Sequence, residues 1–175
     1  MSYTLEQFCK DAHDALKTGK PLEQSLVTVA EDLKKLLNNK AFVNETFNED
    51  TPFGKRVLYH DPELDFYVLA HVQHGGKKGS PHSHGSSWAI YGNARESTRM
   101  REWSRVNPEA EEKAVLRLAE DYLIGPGQAR PYPPGKIHST EQTSKAWVIR
   151  VTGTDLDHVP RYRFKKDRDE ILETA

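Results

Sequence analysis

Gly79-Ser80-Pro81-His82-Ser83-His84-Gly85-Ser86-Ser87-Trp88 is the stretch on which the reading of this chain turns. In extended backbone, residues two apart point to the same face, so His82 and His84 can present two imidazoles to one metal ion. Far downstream, Pro133-Pro134-Gly135-Lys136-Ile137-His138 is a turn that delivers one more histidine as a strand begins. A closed barrel brings distant strands into contact, which makes His138 a natural third ligand. Three protein ligands leave one position open for water or substrate, unlike a closed structural zinc site. An H-x-H pair alone is equally compatible with solvated surface histidines; the pair and the later turn, in this order and on a strand-rich background, carry the metal reading. His13, His60, His71, His74 and His158 fit no such pattern and read as surface or local structural residues.

Around these segments the sequence reads as short strands with frequent Gly/Pro turns. Candidate strands cover residues 56–59, 66–73, 88–94, 98–106, 114–118, 122–125, 146–151 and 162–164, with an Asp61-Pro62 turn between the first two. About eight such strands predict a mainly β protein, an antiparallel barrel of the jelly-roll type. The region before it is helical. Thr4 and Gln7 resemble a capping box, and Leu5, Phe8, Ala12, Ala15 and Leu16 recur at helical spacing until Gly19. Pro21 suits the first turn of a second helix, striped by Leu22, Leu26, Val29, Ala30, Leu33, Leu36 and Leu37. The organisation predicted is one structural domain: a helical extension over residues 1–53 packed on a barrel over 54–165, then a charged, solvated tail over 166–175.

Composition narrows the function. The 175 residues carry 25 basic and 26 acidic side chains, a formal net charge of −1, which gives no long-range pull toward nucleic acid or anionic lipid. No stretch approaches the ~20 apolar residues of a membrane helix, and the N-terminus lacks the pattern of a secretory signal. Cys9 is the sole cysteine and shares a helical face with Leu5, Phe8 and Ala12, so it reads as a buried structural thiol. The expectation is a cytoplasmic protein, monomer or homodimer, with a small-molecule partner and neither a nucleic-acid nor a membrane partner.

The two histidine segments resemble the paired motifs of the cupin superfamily, an H-x-H pair after a Gly-rich turn and a later P-x-G-x-x-H. Pro133, Gly135 and His138 complete the second motif. In the first, Trp88 and Ala89 stand where cupins usually place a glutamate, and Arg95 and Glu96 stand about where its closing glycine belongs. The resemblance therefore implies three histidine ligands, His82, His84 and His138, and no carboxylate. Such a centre, with helices before the barrel, is similar to the cysteine dioxygenase-like (thiol dioxygenase) family. That likeness implies iron(II) and dioxygen. It also implies Arg56 as the anchor of a substrate carboxylate, and Glu141 and Gln142 as groups that orient His138. The family's Ser-x-His-x-Tyr series reads Val148, Arg150 and Thr152 here, which argues against cysteine as the substrate.

Three neutral imidazoles leave the 2+ charge of an ion uncompensated and favour an anionic, chelating substrate. The expected activity is an iron(II)-dependent dioxygenase acting on a small anion, possibly a thiol; zinc, nickel or manganese in an isomerase or lyase is the alternative, because imidazole suits all these metals. A cupin that only binds a metal or small ligand is a third option. Arg150 reads as a substrate contact or as an inward residue paired with an acid, Arg56 as the anchor or a salt-bridged surface residue, and Trp88 as a pocket wall or core filler.

Overall fold

The computed structural model describes residues 2–173. The chain begins with three helices: α1 (Leu5–Lys17), α2 (Leu22–Leu37) and α3 (Lys40–Thr46). Thr4 caps α1, its Oγ1 accepting the Gln7 N–H at 3.2 Å. Leu26, Val29, Leu33 and Leu36 of α2 are fully buried, as the apolar stripe predicts. The sequence reading missed α3, which is too short for a periodic stripe; the Asn39 side chain starts it by accepting from the N–H groups of Ala41 and Phe42.

Ten strands follow: β1 (Gly54–His60), β2 (Tyr67–Gln73), β3 (Lys77–Lys78), β4 (Ala89–Arg95), β5 (Thr98–Arg105), β6 (Val115–Ile124), β7 (Ala129–Tyr132), β8 (Ile137–Gln142), β9 (Ala146–Thr152) and β10 (Glu170–Leu172). They form two five-stranded sheets, in the orders β1-β2-β9-β4-β7 and β10-β6-β5-β8-β3. Every named strand pair is antiparallel except β10 on β6. The architecture is a mainly β, jelly-roll double sheet with helices added, as expected.

Some boundaries differ, each for a physical reason. The two strands expected over 114–118 and 122–125 are one, β6. A bulge opposite Glu102 absorbs an extra residue at Ala119, and Arg99 pairs with Asp121, so the polar interruption does not break the strand. β7 escaped notice because it contains Pro131, which an edge strand tolerates. The tail expected to be solvated from 166 onward instead holds β10, and Asp169 is buried with its carboxylate on the N–H groups of Ala114 and Lys165. The strand expected at 162–164 reduces to a single bridge between Arg163 and His82.

Alternation divides each sheet into two faces. Val68, Ala70, Val72, Ile90, Trp147, Ile149 and Val151 point outward from the first sheet and join Phe8, Leu26, Leu33, Leu36 and Phe47 in one apolar cluster. At Gly92 a side chain would strike Leu37 and Leu33, at 2.6 and 2.9 Å, so glycine lets α2 lie close on β4. The inner faces meet through Ala89, Tyr91, Met100, Ile124, Tyr132 and Val148. Trp103, Leu116, Ile137, Phe164 and Ile171 cover the outer face of the second sheet. No helix among the described residues is long and apolar enough to cross a membrane.

Candidate metal centre

His138 sits in β8 on the inner face, and His82 lies directly opposite it. Each N–H bonds the other's carbonyl, at 3.0 and 2.9 Å, the narrow pairing of an antiparallel ladder. Two residues later His84 turns in beside them. The ring centroids are 4.7 Å apart for His82 and His138, 4.9 Å for His84 and His138, and 5.2 Å for His82 and His84. One nitrogen from each ring lies within 4.8 Å of the other two.

The rings are oriented by the backbone. The Nδ1–H of His82 donates to the Ser80 carbonyl at 3.0 Å, and that of His138 to the Lys136 carbonyl at 3.1 Å. In both cases the acceptor stands two residues upstream, and the bond fixes the tautomer so that Nε2 carries the lone pair. His84 meets the Tyr91 hydroxyl through Nε2 at 3.2 Å. The Nε2 of His138 and the Nδ1 of His84 are buried without any hydrogen-bond partner among the described residues. A buried polar nitrogen left unpaired costs about 1–3 kcal/mol, so two of them side by side are difficult to justify as structure alone. As neutral nitrogen donors with one retained proton fixed elsewhere, these residues fit a divalent ion.

Electrostatics supports the neutral form. Burial pushes His84 down to about 2, with His138 and Arg150 adding to the effect, and it pushes His138 down to about 3, with His82 and Arg150 contributing. His82 is lowered by burial and by Arg161, Arg163 and Arg150, against the Ser80 carbonyl, which favours its protonated form. The imidazoles are thus neutral at neutral pH, each with one nitrogen lone pair free, the state a metal ligand requires.

A cavity of about 220 Å³ opens on His82 and His84 and is lined also by Tyr91, Gln73, Arg150, Arg161 and Arg163. No carboxylate among the described residues lines it. Arg150 is brought in from β9, its guanidinium carbon 5.0 Å from the Tyr91 ring centre. Of its two readings, pairing with an acid has no support among the described residues, and its buried Nε has no partner. A second, larger cavity of about 690 Å³ shares Gln73, Gly79 and Thr140 with the first and adds His71 and Lys77.

The other expected residues lie elsewhere. Arg56 stands opposite Ala70 and so faces the helices, where its Nη2 donates to the Thr46 carbonyl at 2.9 Å; β1 presents it to the wrong side of the sheet for the cavity. Trp88 is in the apolar cluster under the helices and not at the pocket wall. The period-two count from His84 fails because Gly85, with φ +58°, turns the chain before β4 begins. Glu141 lies one step out of phase with His138, on the outer face, and accepts from Arg101 at 2.6 Å. Gln142 is in phase but too far along β8, and its amide donates to Gln73 at 2.7 Å. Neither residue orients His138; the Lys136 carbonyl does.

Tyr91, Arg161 and Arg163 were missed. Tyr91 was legible as the inner-facing residue of β4 between Ala89 and Asn93. The alternation Arg161-Tyr162-Arg163 also carries a period-two signal, but nothing in it shows which face meets the histidines.

No protein-family model matches the sequence, and no curated protein does. Solved structures with a similar chain path include KdgF from a Halomonas species, at 17% identity over 62% of this chain and 87% of that one, with a TM-score of 0.45. A protein with a double-stranded β-helix domain from Klebsiella pneumoniae is similar at 13% identity over 70% of this chain and 88% of that one, TM-score 0.43. A cupin-2 domain-containing protein from Shewanella frigidimarina is similar at 11% identity over 61% and 84%, TM-score 0.42.

Proposed function

We propose that this chain is a metal-dependent cupin enzyme, with iron(II) held by His82, His84 and His138, that oxidises a small anionic substrate with dioxygen. The observation that carries the reading is the pair of buried, partnerless nitrogens on His84 and His138, beside a third imidazole of fixed tautomer. Bound there, a divalent ion supplies Lewis acidity and, if it is iron, electron transfer with dioxygen. The chain's own residues do the rest. Ser80 and Lys136 hold two rings in the ligating tautomer. Three uncharged donors leave the ion's charge for an anionic ligand to neutralise, and Arg150 adds a planar fork of donors to receive a carboxylate. The Tyr91 hydroxyl, on the Nε2 of His84 and in the cavity wall, is placed to hold a proton beside a bound substrate.

That hydroxyl also favours a second reading, an isomerase or lyase with zinc, nickel or manganese, because a phenol can transfer a proton without any oxidant. Protein purified without chelators or nickel resin and assayed by elemental analysis, then reconstituted anaerobically with iron(II), separates the two. Oxygen uptake is expected with at least one of a panel of carboxylated thiols, diketones and hydroxylated aromatics, and its loss in His138→Ala. Silence across the panel contradicts the dioxygenase, and turnover under argon supports the second reading in its place.

A further inference from the structure

After β9 a turn over residues 155–158 leads into a strap, residues 160–164, that lies against the histidine turn. Two backbone hydrogen bonds fasten it to the histidine turn: the Ser83 N–H donates to the Tyr162 carbonyl at 3.1 Å, and the Phe164 N–H to the Pro81 carbonyl at 2.9 Å. Gly85 permits the close approach. Its backbone is left-handed, and a Cβ there would lie 2.6 Å from the Pro160 carbonyl oxygen. Successive residues of an extended segment point to opposite sides. Tyr162 is 69% exposed; Arg161, half-buried, and Arg163, exposed on its outer side, both line the cavity on which His82 and His84 open.

Arg150 reaches the same cavity from β9, so three permanently charged arginines line a space of about 220 Å³ that has no carboxylate residue in its lining among the described residues. Only Arg161 of the three has an ion pair among the described residues, to Asp157 at 3.3 Å, and its Nε and Nη2 also hold the Leu156 carbonyl. The imidazoles beside them are uncharged. A single carboxylate engaged at the histidines leaves this positive charge uncompensated, above all at Arg150, whose Nε is buried and poorly screened.

We infer that Arg150, Arg161 and Arg163 form a seat for a second anionic group, so that the substrate is a small dianion lying between the histidines and the strap. The inference deepens the proposed function and rests on it for the histidine end; the arginine seat belongs to the chain with or without metal. Forked guanidiniums take the oxygens of a carboxylate or a phosphoryl group equally well. The cavity has the volume of about seven water molecules, which suits a short dicarboxylate or phosphonocarboxylate.

The test is calorimetric titration of the full chain, metal-free and metal-loaded, with succinate, 3-phosphonopropionate and butyrate, three probes of similar length. Both dianions should bind the metal-free protein at least about tenfold more tightly than butyrate, with the preference weakening as salt rises. The stronger of the two tells carboxyl from phosphoryl. The R161Q/R163Q variant should lose the preference while its circular dichroism and melting temperature hold. Should that variant not fold, Arg163→Gln alone gives the same readout, since the Arg163 side chain makes no ion pair among the described residues. Butyrate binding level with the dianions, or a folded variant that keeps the preference, overturns the inference. Metal uptake without a dianion preference breaks the inference alone. A dianion preference in a chain that never takes up metal supports the arginine seat and breaks the metal reading.

Discussion

On β9, Trp147, Ile149 and Val151 point toward the helices, while Val148, Arg150 and Thr152 point between the sheets. On β2, Val68, Ala70 and Val72 face outward and His71 and Gln73 inward. The same strands thus carry two surfaces of opposite character. The outer one is apolar and closed by α2, although Trp147 keeps a buried Nε1 without a partner among the described residues. The inner one collects most of the unpaired polar atoms: His71 Nε2, His84 Nδ1, Asn93 Oδ1, His138 Nε2 and Arg150 Nε are buried without partners among the described residues. Burial of apolar area holds the sheet in place strongly enough for the inner face to keep groups that would otherwise be costly. Stability and chemistry are therefore separable by alternation, one residue at a time.

The comparison breaks most visibly under Leu33→Ala. Leu33 is fully buried over Gly92, so truncation should cost about 2–5 kcal/mol in urea unfolding, while the folded fraction still binds metal with unchanged stoichiometry. A loss of metal binding in that fraction would show that the two faces are not independent. His138→Ala should do the reverse. Metal uptake by elemental analysis should disappear, and the metal-free protein should lose less stability than Leu33→Ala does, because the substitution removes the unpaired Nε2 along with the single Nδ1 bond to the Lys136 carbonyl.

Asp61 provides a pH-dependent probe of the helical side. It is buried in the β1–β2 turn, and although burial alone would raise it, the N–H groups of Leu64 and Glu63 with His13 and Tyr59 hold its carboxyl below the usual range. A carboxyl lowered by folding stabilises fully above the unfolded value of about 3.9, and the contribution fades as pH falls through the folded value. Asp61→Asn should therefore be less stable than the parent by about 1–3 kcal/mol at neutral pH, and the gap should close in strong acid. A gap independent of pH would contradict this assignment. The smallest effect is expected from Gln142→Ala and Arg56→Ala. Both leave metal affinity unchanged, since one side chain bonds Gln73 and the other faces α3; a tenfold loss in either would return that residue to the site.

What the sequence disclosed follows the same division. The α2 stripe, the strand-and-turn rhythm and the histidines at 82, 84 and 138 were legible because they rest on periodicity and spacing. Residues whose face depends on a turn or a register were not. Trp88 is kept from the pocket by the left-handed turn at Gly85, which leaves its reading as a core filler; Arg56 is kept from it by its pairing opposite Ala70, and Glu141 by one step of alternation from His138. The carbonyls of Ser80 and Lys136 leave no trace in side-chain identity, although they set both tautomers. Arg161 and Arg163 enter the site through a bridge to His82 that only the folded chain reveals.

X-ray absorption at the metal edge, on full-length protein loaded with one equivalent of iron(II), tests the central claim most directly. Three imidazole nitrogens around the ion are expected, falling to two or to no bound metal in His138→Ala. A coordination shell of oxygen ligands alone, or one that the His138 substitution leaves unaltered, would place the ion elsewhere and contradict the account.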